Sequence, residues 1–176
     1  ISSAAKPELT QAFSSFLLQP GVPLVSVSLD CSAKPALTLS QKRFLPIGSD
    51  GDAGKLWETP VCVRYGMPSA MKEECFLLTR RTQTFPLTQA SGCPNTLMAN
   101  ARAGGYYLVR YEEGLRKNLL AHAKELSLAE QRSLLNDMSS LADGGEMRES
   151  ALLEAMPEFA SSPERQIVSE VRPIVA

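Results

Sequence analysis

The chain has 176 residues, 44% of them hydrophobic, and carries eighteen basic and nineteen acidic side chains for a net charge of −1. That is enough for one large domain or two small ones with a sizeable core, and the near-neutral balance argues against a nucleic-acid surface or a polybasic membrane patch. No apolar run approaches the ~20 residues of a membrane span, and nothing near Ile1 reads as a signal peptide.

The chain opens on Ile1 rather than Met, so a processed chain or a piece of a longer one is expected. Residues 7–18 predict a short helix, with Leu9, Phe13, Phe16 and Leu17 at helical spacing; Gln19-Pro20-Gly21 stops it. From there to Tyr111 the period falls toward two. The strand-like runs are Leu24–Leu29, Ala36–Phe44, Pro60–Tyr65, Cys75–Thr79, Thr84–Leu87 and Tyr106–Tyr111. Short strands separated by Pro, Gly, Asp and Asn predict an antiparallel β-sandwich. Pro23, Pro60 and Pro86 fit strand starts or edges, where no ladder donor is needed. Asp50-Gly51-Asp52-Ala53-Gly54 lacks the ligand spacing of a calcium loop and reads as a flexible turn.

The composition then shifts. The first 111 residues hold nine of the twelve prolines and ten of the eleven aromatic side chains, with a charge of +4; residues 112–176 carry −5. A domain boundary is expected near Tyr111. Beyond it the period is helical. Leu115, Leu119, Leu120 and Ala123 form one stripe, and Leu134, Leu135, Met138, Leu141 and Ala142 a second. Ser127 and Glu130 stand at capping-box spacing at the head of the second helix, and Gly144-Gly145 supplies its stop. A third helix should end near Pro157, and Ser162-Pro163 should start a fourth carrying Ile167, Val168 and Val171. These stripes show no closing partner, and the chain stops on apolar Val175-Ala176. The C-terminus therefore reads as a cut, and self-association through an uncovered patch on residues 112–176 is expected.

Candidate chemistry is sparse. His122 is the single histidine, so no H-E-x-x-H pair exists, and an independent hydrolase would have to be built on it without a placeable nucleophile or oxyanion hole. Cys31, Cys62, Cys75 and Cys93 include no C-x-x-C pair, which argues against a zinc site. Their spacing leaves pairing open; reduced thiols acting as small apolar fillers are the favoured reading.

Several stretches together resemble a known family. Leu9–Asp30 (LTQAFSSFLLQPGVPLVSVSLD) is similar to the junction where the catalytic domain of a zinc aminopeptidase ends and its sandwich begins. Leu37–Leu45 and Trp57–Tyr65 are similar to the sandwich's next strands. Asn100–Glu113 (NARAGGYYLVRYEE) resembles the Asn-Ala, Gly-Tyr-Tyr, Tyr-Asp/Glu signature, and Gln131–Gly145 an early helix of the C-terminal helical domain. The family is the aminopeptidase N, puromycin-sensitive and endoplasmic-reticulum aminopeptidase group of gluzincins.

The resemblance implies a tail of the catalytic domain over 1–19, an immunoglobulin-like antiparallel β-sandwich over 20–111, and the first helices of a superhelical α-domain over 112–176. It also implies that the zinc helix and the G-x-M-E-N substrate motif lie upstream, so this chain supplies no catalytic residue, metal ligand or cofactor site. Zinc and peptide substrates would belong to the parent, whose catalytic domain is the expected partner. The residues singled out are structural: Trp57 in packing, Tyr107 in the closing strand, and Arg132 and Asp137 in contacts between the helices and the sandwich. Leu108 and Arg110 replace the family's usual Arg and Asn, and Gln131 stands where the family has Arg, which puts the polar contacts of those positions in doubt. The alternative is a self-standing β-sandwich protein-interaction module.

Overall fold

The computed structural model describes residues 7–67 and 70–175. The expected helix forms as α1 (Pro7–Leu17), and seven strands follow: β1 (Val22–Asp30), β2 (Ala36–Phe44), β3 (Thr59–Met67), β4 (Ala70–Leu78), β5 (Thr82–Pro86), β6 (Thr96–Met98) and β7 (Leu108–Tyr111). Beyond Tyr111 the chain is helical: α2 (Glu113–Ala121), α3 (Leu128–Asp143), α4 (Glu149–Ala160) and α5 (Arg165–Val175).

The strands build two sheets, one in the order β5-β2-β1-β7 and the other β4-β3-β6. Alternation decides which side chains face inward. In β2, Leu37, Leu39 and Gln41 are buried while Thr38 and Ser40 are half-exposed. Val25 and Val27 of β1 and Val61, Val63 and Tyr65 of β3 alternate in the same way, and all enter one apolar cluster with Leu37 and Leu39. Pro23 and Pro60 are the second residues of their strands, outside the reach of the short strands on their far sides, and Pro86 ends the edge strand β5.

Pairing is antiparallel as expected in every case but one. The last strand, β7, runs parallel to β1, with Leu24 opposite Leu108 and Val27 opposite Tyr111. A parallel partner requires a long crossover, and here the chain between β1 and β7 passes through the second sheet. The three-residue β6, too short to show a period, is absent from the sequence-based strands.

The cysteine expectation is corrected. Cys31 is bonded to Cys93 and Cys62 to Cys75, with Cα separations of 5.6 and 4.0 Å, and no free cysteine remains. A filler thiol gains its stability from burial. Cys75 and Cys93 are exposed, and Cys31 and Cys62 are only half-buried.

The helical stripes are covered, contrary to the expected open patch. Leu119, Leu134, Leu135, Met138, Leu152, Ala155, Met156, Phe159, Ile167 and Val171 are all buried in the same cluster as the sheets. Among the described residues of α2–α5, Leu153 is the one large apolar side chain that is exposed. Among the described residues, the sheets and the helices close on one another.

Two helix boundaries differ from expectation. Pro157 lies inside α4, which runs on to Ala160; the Pro157 carbonyl accepts from Ser161 N at 3.1 Å, so the turn closes past the ring. Ser162 Oγ accepts from Glu164 N at 3.2 Å as expected of a cap, but α5 begins at Arg165, beyond Pro163.

Candidate functional site

The polar chemistry of the chain concentrates where α3 crosses the strands. Its start is the capping box expected from Ser127 and Glu130: Ser127 Oγ accepts from Glu130 N at 3.3 Å, and Glu130 Oε2 accepts from Ser127 N at 3.0 Å. The same carboxylate also reaches outward. It accepts from Arg64 of β3 through both Nε (3.0 Å) and Nη2 (2.5 Å), and from the backbone N–H of Arg102 at 3.0 Å. Glu130 is 1% exposed. Burial pushes its carboxyl up, but the hydrogen bonds from Arg64, Arg102 N and Ser127 outweigh that and hold it below the ordinary glutamate value.

The contact with Arg102 is notable because Arg102 and Ala103 both have positive φ, 60° and 53°. Left-handed backbone at two consecutive residues with side chains costs energy and persists only where neighbours hold it. Here Glu130 holds the Arg102 amide, and Asn100 brackets the other end of the loop, accepting from Gly105 N at 2.8 Å and donating to Gly105 O at 3.1 Å. A side chain at Gly105 would meet the Tyr107 ring, whose Cε1 lies 2.0 Å from the position of a Cβ. The Gly-Tyr-Tyr element is thus a close approach of backbone to ring.

Two turns along α3, on the same face, stands Asp137. It is 2% exposed and accepts from the backbone N–H of Val109 in β7. Its Oδ2 has no partner among the described residues. Desolvation therefore dominates, and the carboxyl is raised well above the ordinary aspartate value against the opposing pull of Val109 N–H.

The far end of α3 meets the first sheet's outer face. Leu141 packs with Leu24 and Leu108, joined by Val22, Phe44 and Met147. Gly145, at φ 70°, turns the chain back. Glu146 then receives Lys42 Nζ at 2.6 Å and Arg110 Nη1 at 2.9 Å, while Arg110 Nε donates to Ser26 Oγ at 3.1 Å. Two of the three departures from the pattern of the resemblance, Leu108 and Arg110, thus meet the end of α3 and the turn after it.

The other singled-out residues fall as follows. Tyr107 is buried, and its OH donates to Ala99 O at 2.9 Å; Tyr111 OH accepts from Ala99 N at 2.8 Å, so two rings of β7 and its approach grip one residue after β6. Burial raises both phenols. Trp57 is 1% exposed, and its main chain is held at both ends by Gln41, which donates to Trp57 O at 2.8 Å and accepts from Trp57 N at 3.0 Å. Arg132 does not meet the strands. It is exposed and pairs with Glu170 of α5 at 2.7 Å, a tie between helices. Gln131 beside it is buried, donating to Leu126 O at 3.0 Å and accepting from Ser162 Oγ at 3.0 Å.

Arg64, Gln41 and Arg102 were not legible as site residues. Arg64 and Glu130 are 66 residues apart and nothing local links them; the capping box was the only available signal, and it marks Glu130 alone.

Elsewhere, a cleft of about 950 Å³ lies between α1 and the 100–107 loop, lined mainly by apolar groups including Phe13, Phe16, Pro60, Ala101 and Tyr106. Arg102 and Glu73 pair at 2.9 Å on its wall. His122 is half-buried, its Nδ1 2.9 Å from Glu125 Oε1. Its neighbour Cys93 is disulfide-bonded and offers no nucleophile. Among the described residues no three His, Cys, Asp or Glu side chains converge on a metal-holding point, and no helix is long and apolar enough to cross a membrane.

No family model matches the chain. It is 25% identical over 169 residues to aminopeptidase N of Lactobacillus helveticus, covering 96% of this chain and 19% of that protein. It is 24% identical over 148 residues to the puromycin-sensitive aminopeptidase of Caenorhabditis elegans, covering 82% of this chain and 16% of that one. Aminopeptidase M1-A of Oryza sativa is 26% identical over 166 residues, with 89% and 18% covered. The chain spans about a fifth of the length of the relatives it matches. At about 25% identity over most of its residues, it is a distant homologue of the M1 aminopeptidases.

Proposed function

We propose that this chain is a non-catalytic region of a zinc aminopeptidase, and that its work is to hold a helical domain at a fixed angle to the rest of the enzyme. In this reading residues 1–19 are the tail of the catalytic domain, 20–111 an immunoglobulin-like sandwich acting as spacer, and 112–176 the first helices of the domain that covers the catalytic cleft. Residues 1–6 lie outside the described structure. The parent enzyme removes N-terminal residues from peptides, and its catalytic domain is the partner of this chain.

The observation that carries the reading is the junction along α3. Glu130 ties to the second sheet, Asp137 to β7, and Leu141 with Glu146 to the outer face of the first sheet. Three anchors on one helix leave little freedom for hinge motion between strands and helices. Asp137 and Tyr107 act here as positioning residues and Trp57 as core, while Arg132 links helices to one another.

In the family the zinc ion activates the water that attacks the first peptide bond. The donor set does not suit it: the single histidine pairs with Glu125, and among the described residues no third His, Cys, Asp or Glu joins the two. The ligands belong to another part of the parent.

The test is an assay of the purified chain on an aminoacyl-chromophore, run beside metal analysis. No turnover and no stoichiometric zinc is expected. Chelator-sensitive turnover with bound zinc would overturn the reading.

A further inference from the structure

We propose that this region of the protein works on the oxidising side of a membrane or outside the cell, with Cys31–Cys93 and Cys62–Cys75 as permanent covalent structure. The inference does not rest on the aminopeptidase reading; it follows from where the four sulfurs lie.

None of the four cysteines is buried, and Cys75 and Cys93 are exposed. As free thiols they would add nothing to the core and would stand open to oxidation. All four instead fall into two pairs whose Cα separations, 5.6 and 4.0 Å, suit bonding or lie close to the usual range. Disulfides persist in oxidising compartments, and cytosolic thiols are kept reduced.

The two bonds have different mechanical roles. Cys62 and Cys75 are directly opposed across the β3–β4 ladder, where backbone pairing already sets the register. Cys31 and Cys93 are 62 residues apart. Their bond ties the turn after β1, in one sheet, to the connection that leads into β6 of the other. That connection is also fastened at its start, where Leu87 N donates to Pro35 O at 2.9 Å, and by Glu74, which accepts from Thr88 N at 3.2 Å and Gln89 N at 3.1 Å. Because it closes the longer loop, 62 residues against 13, the inter-sheet bond is the one whose loss should loosen the strand region more.

Formation needs an oxidant, here a disulfide-bearing thiol oxidase of the compartment. For each pair, one cysteine thiolate attacks the oxidant's disulfide and releases a thiolate. The second cysteine then displaces the mixed disulfide, leaving the protein S–S bond and the oxidant as a dithiol.

The experiment traps thiols by acid quench in the protein's own cells, alkylates, and maps the peptides of the isolated full-length protein by mass spectrometry. No alkylation before reduction, four sites after it, and linked peptides Cys31/Cys93 and Cys62/Cys75 are expected. Alkylated thiols at either pair in the quenched sample would overturn the proposal. On the oxidised chain, reductant should lower the melting temperature by roughly 10 °C or more; an unchanged melting temperature with both bonds shown to be reduced would overturn their structural role.

Discussion

Replacing Glu130 by alanine tests the junction most directly. Removing one partner of a buried ion pair costs roughly 3–5 kcal/mol, because the other charge is left uncompensated. The Arg64 side chain keeps 22% of its surface in water and can partly re-solvate, so the lower end, about 3 kcal/mol, applies. Loss of the reciprocal cap at Ser127 adds about 1 kcal/mol, giving about 4 kcal/mol in all. Urea unfolding followed by the fluorescence of Trp57, the only tryptophan and 1% exposed, reads this directly. At roughly 2–4 °C per kcal/mol for a chain of this size, the melting temperature should fall by roughly 8–16 °C. Arg132→Ala is the control: its exposed pair with Glu170 should be worth less than about 1 kcal/mol. If Glu130→Ala and Arg132→Ala destabilised equally, or Glu130→Ala cost less than about 1 kcal/mol, the junction would not be the anchor described.

The two buried carboxylates give opposite pH dependences. Glu130 is lowered, so its contribution is present above the unfolded glutamate value and is lost as pH falls through its folded value. Asp137 is raised, so its folded form is favoured at low pH and penalised as pH rises above 3.8; Asp137→Asn, which keeps an acceptor for Val109 N–H, should match or exceed the wild type at pH 8 and lose that margin toward pH 4 in urea titrations. A large loss at pH 8 would mean that the charge is needed. Chain-entropy estimates assign about 4 kcal/mol to Cys31–Cys93 and about 3 to Cys62–Cys75, so the double Ser variant of the first pair should unfold at lower urea than that of the second. Gly105→Ala would drive a methyl into the Tyr107 ring and should cost more than Gly92→Ala, where nothing lies within 4 Å, as thermal melts would show.

The sequence by itself determined the order of elements and most of their faces. Alternation marks β2 over Ala36–Phe44 because side chains at i and i+2 share a face, and the α3 stripe and capping box are written in residues three and four apart. The motif order from Leu9 to Gly145 pointed to the aminopeptidase relatives for the same reason: it is local and linear. Only the tertiary structure decided which distant groups meet. Arg64 reaches Glu130, Leu108 and Arg110 take up the end of α3, β7 lies parallel to β1, and exposed cysteines pair across the strands. Such choices depend on topology, which brings together residues that no local period connects. The helical stripes show this most clearly. Their apolar pattern was legible, but whether water or a sheet lay against it was settled only when the strands and helices packed into one core.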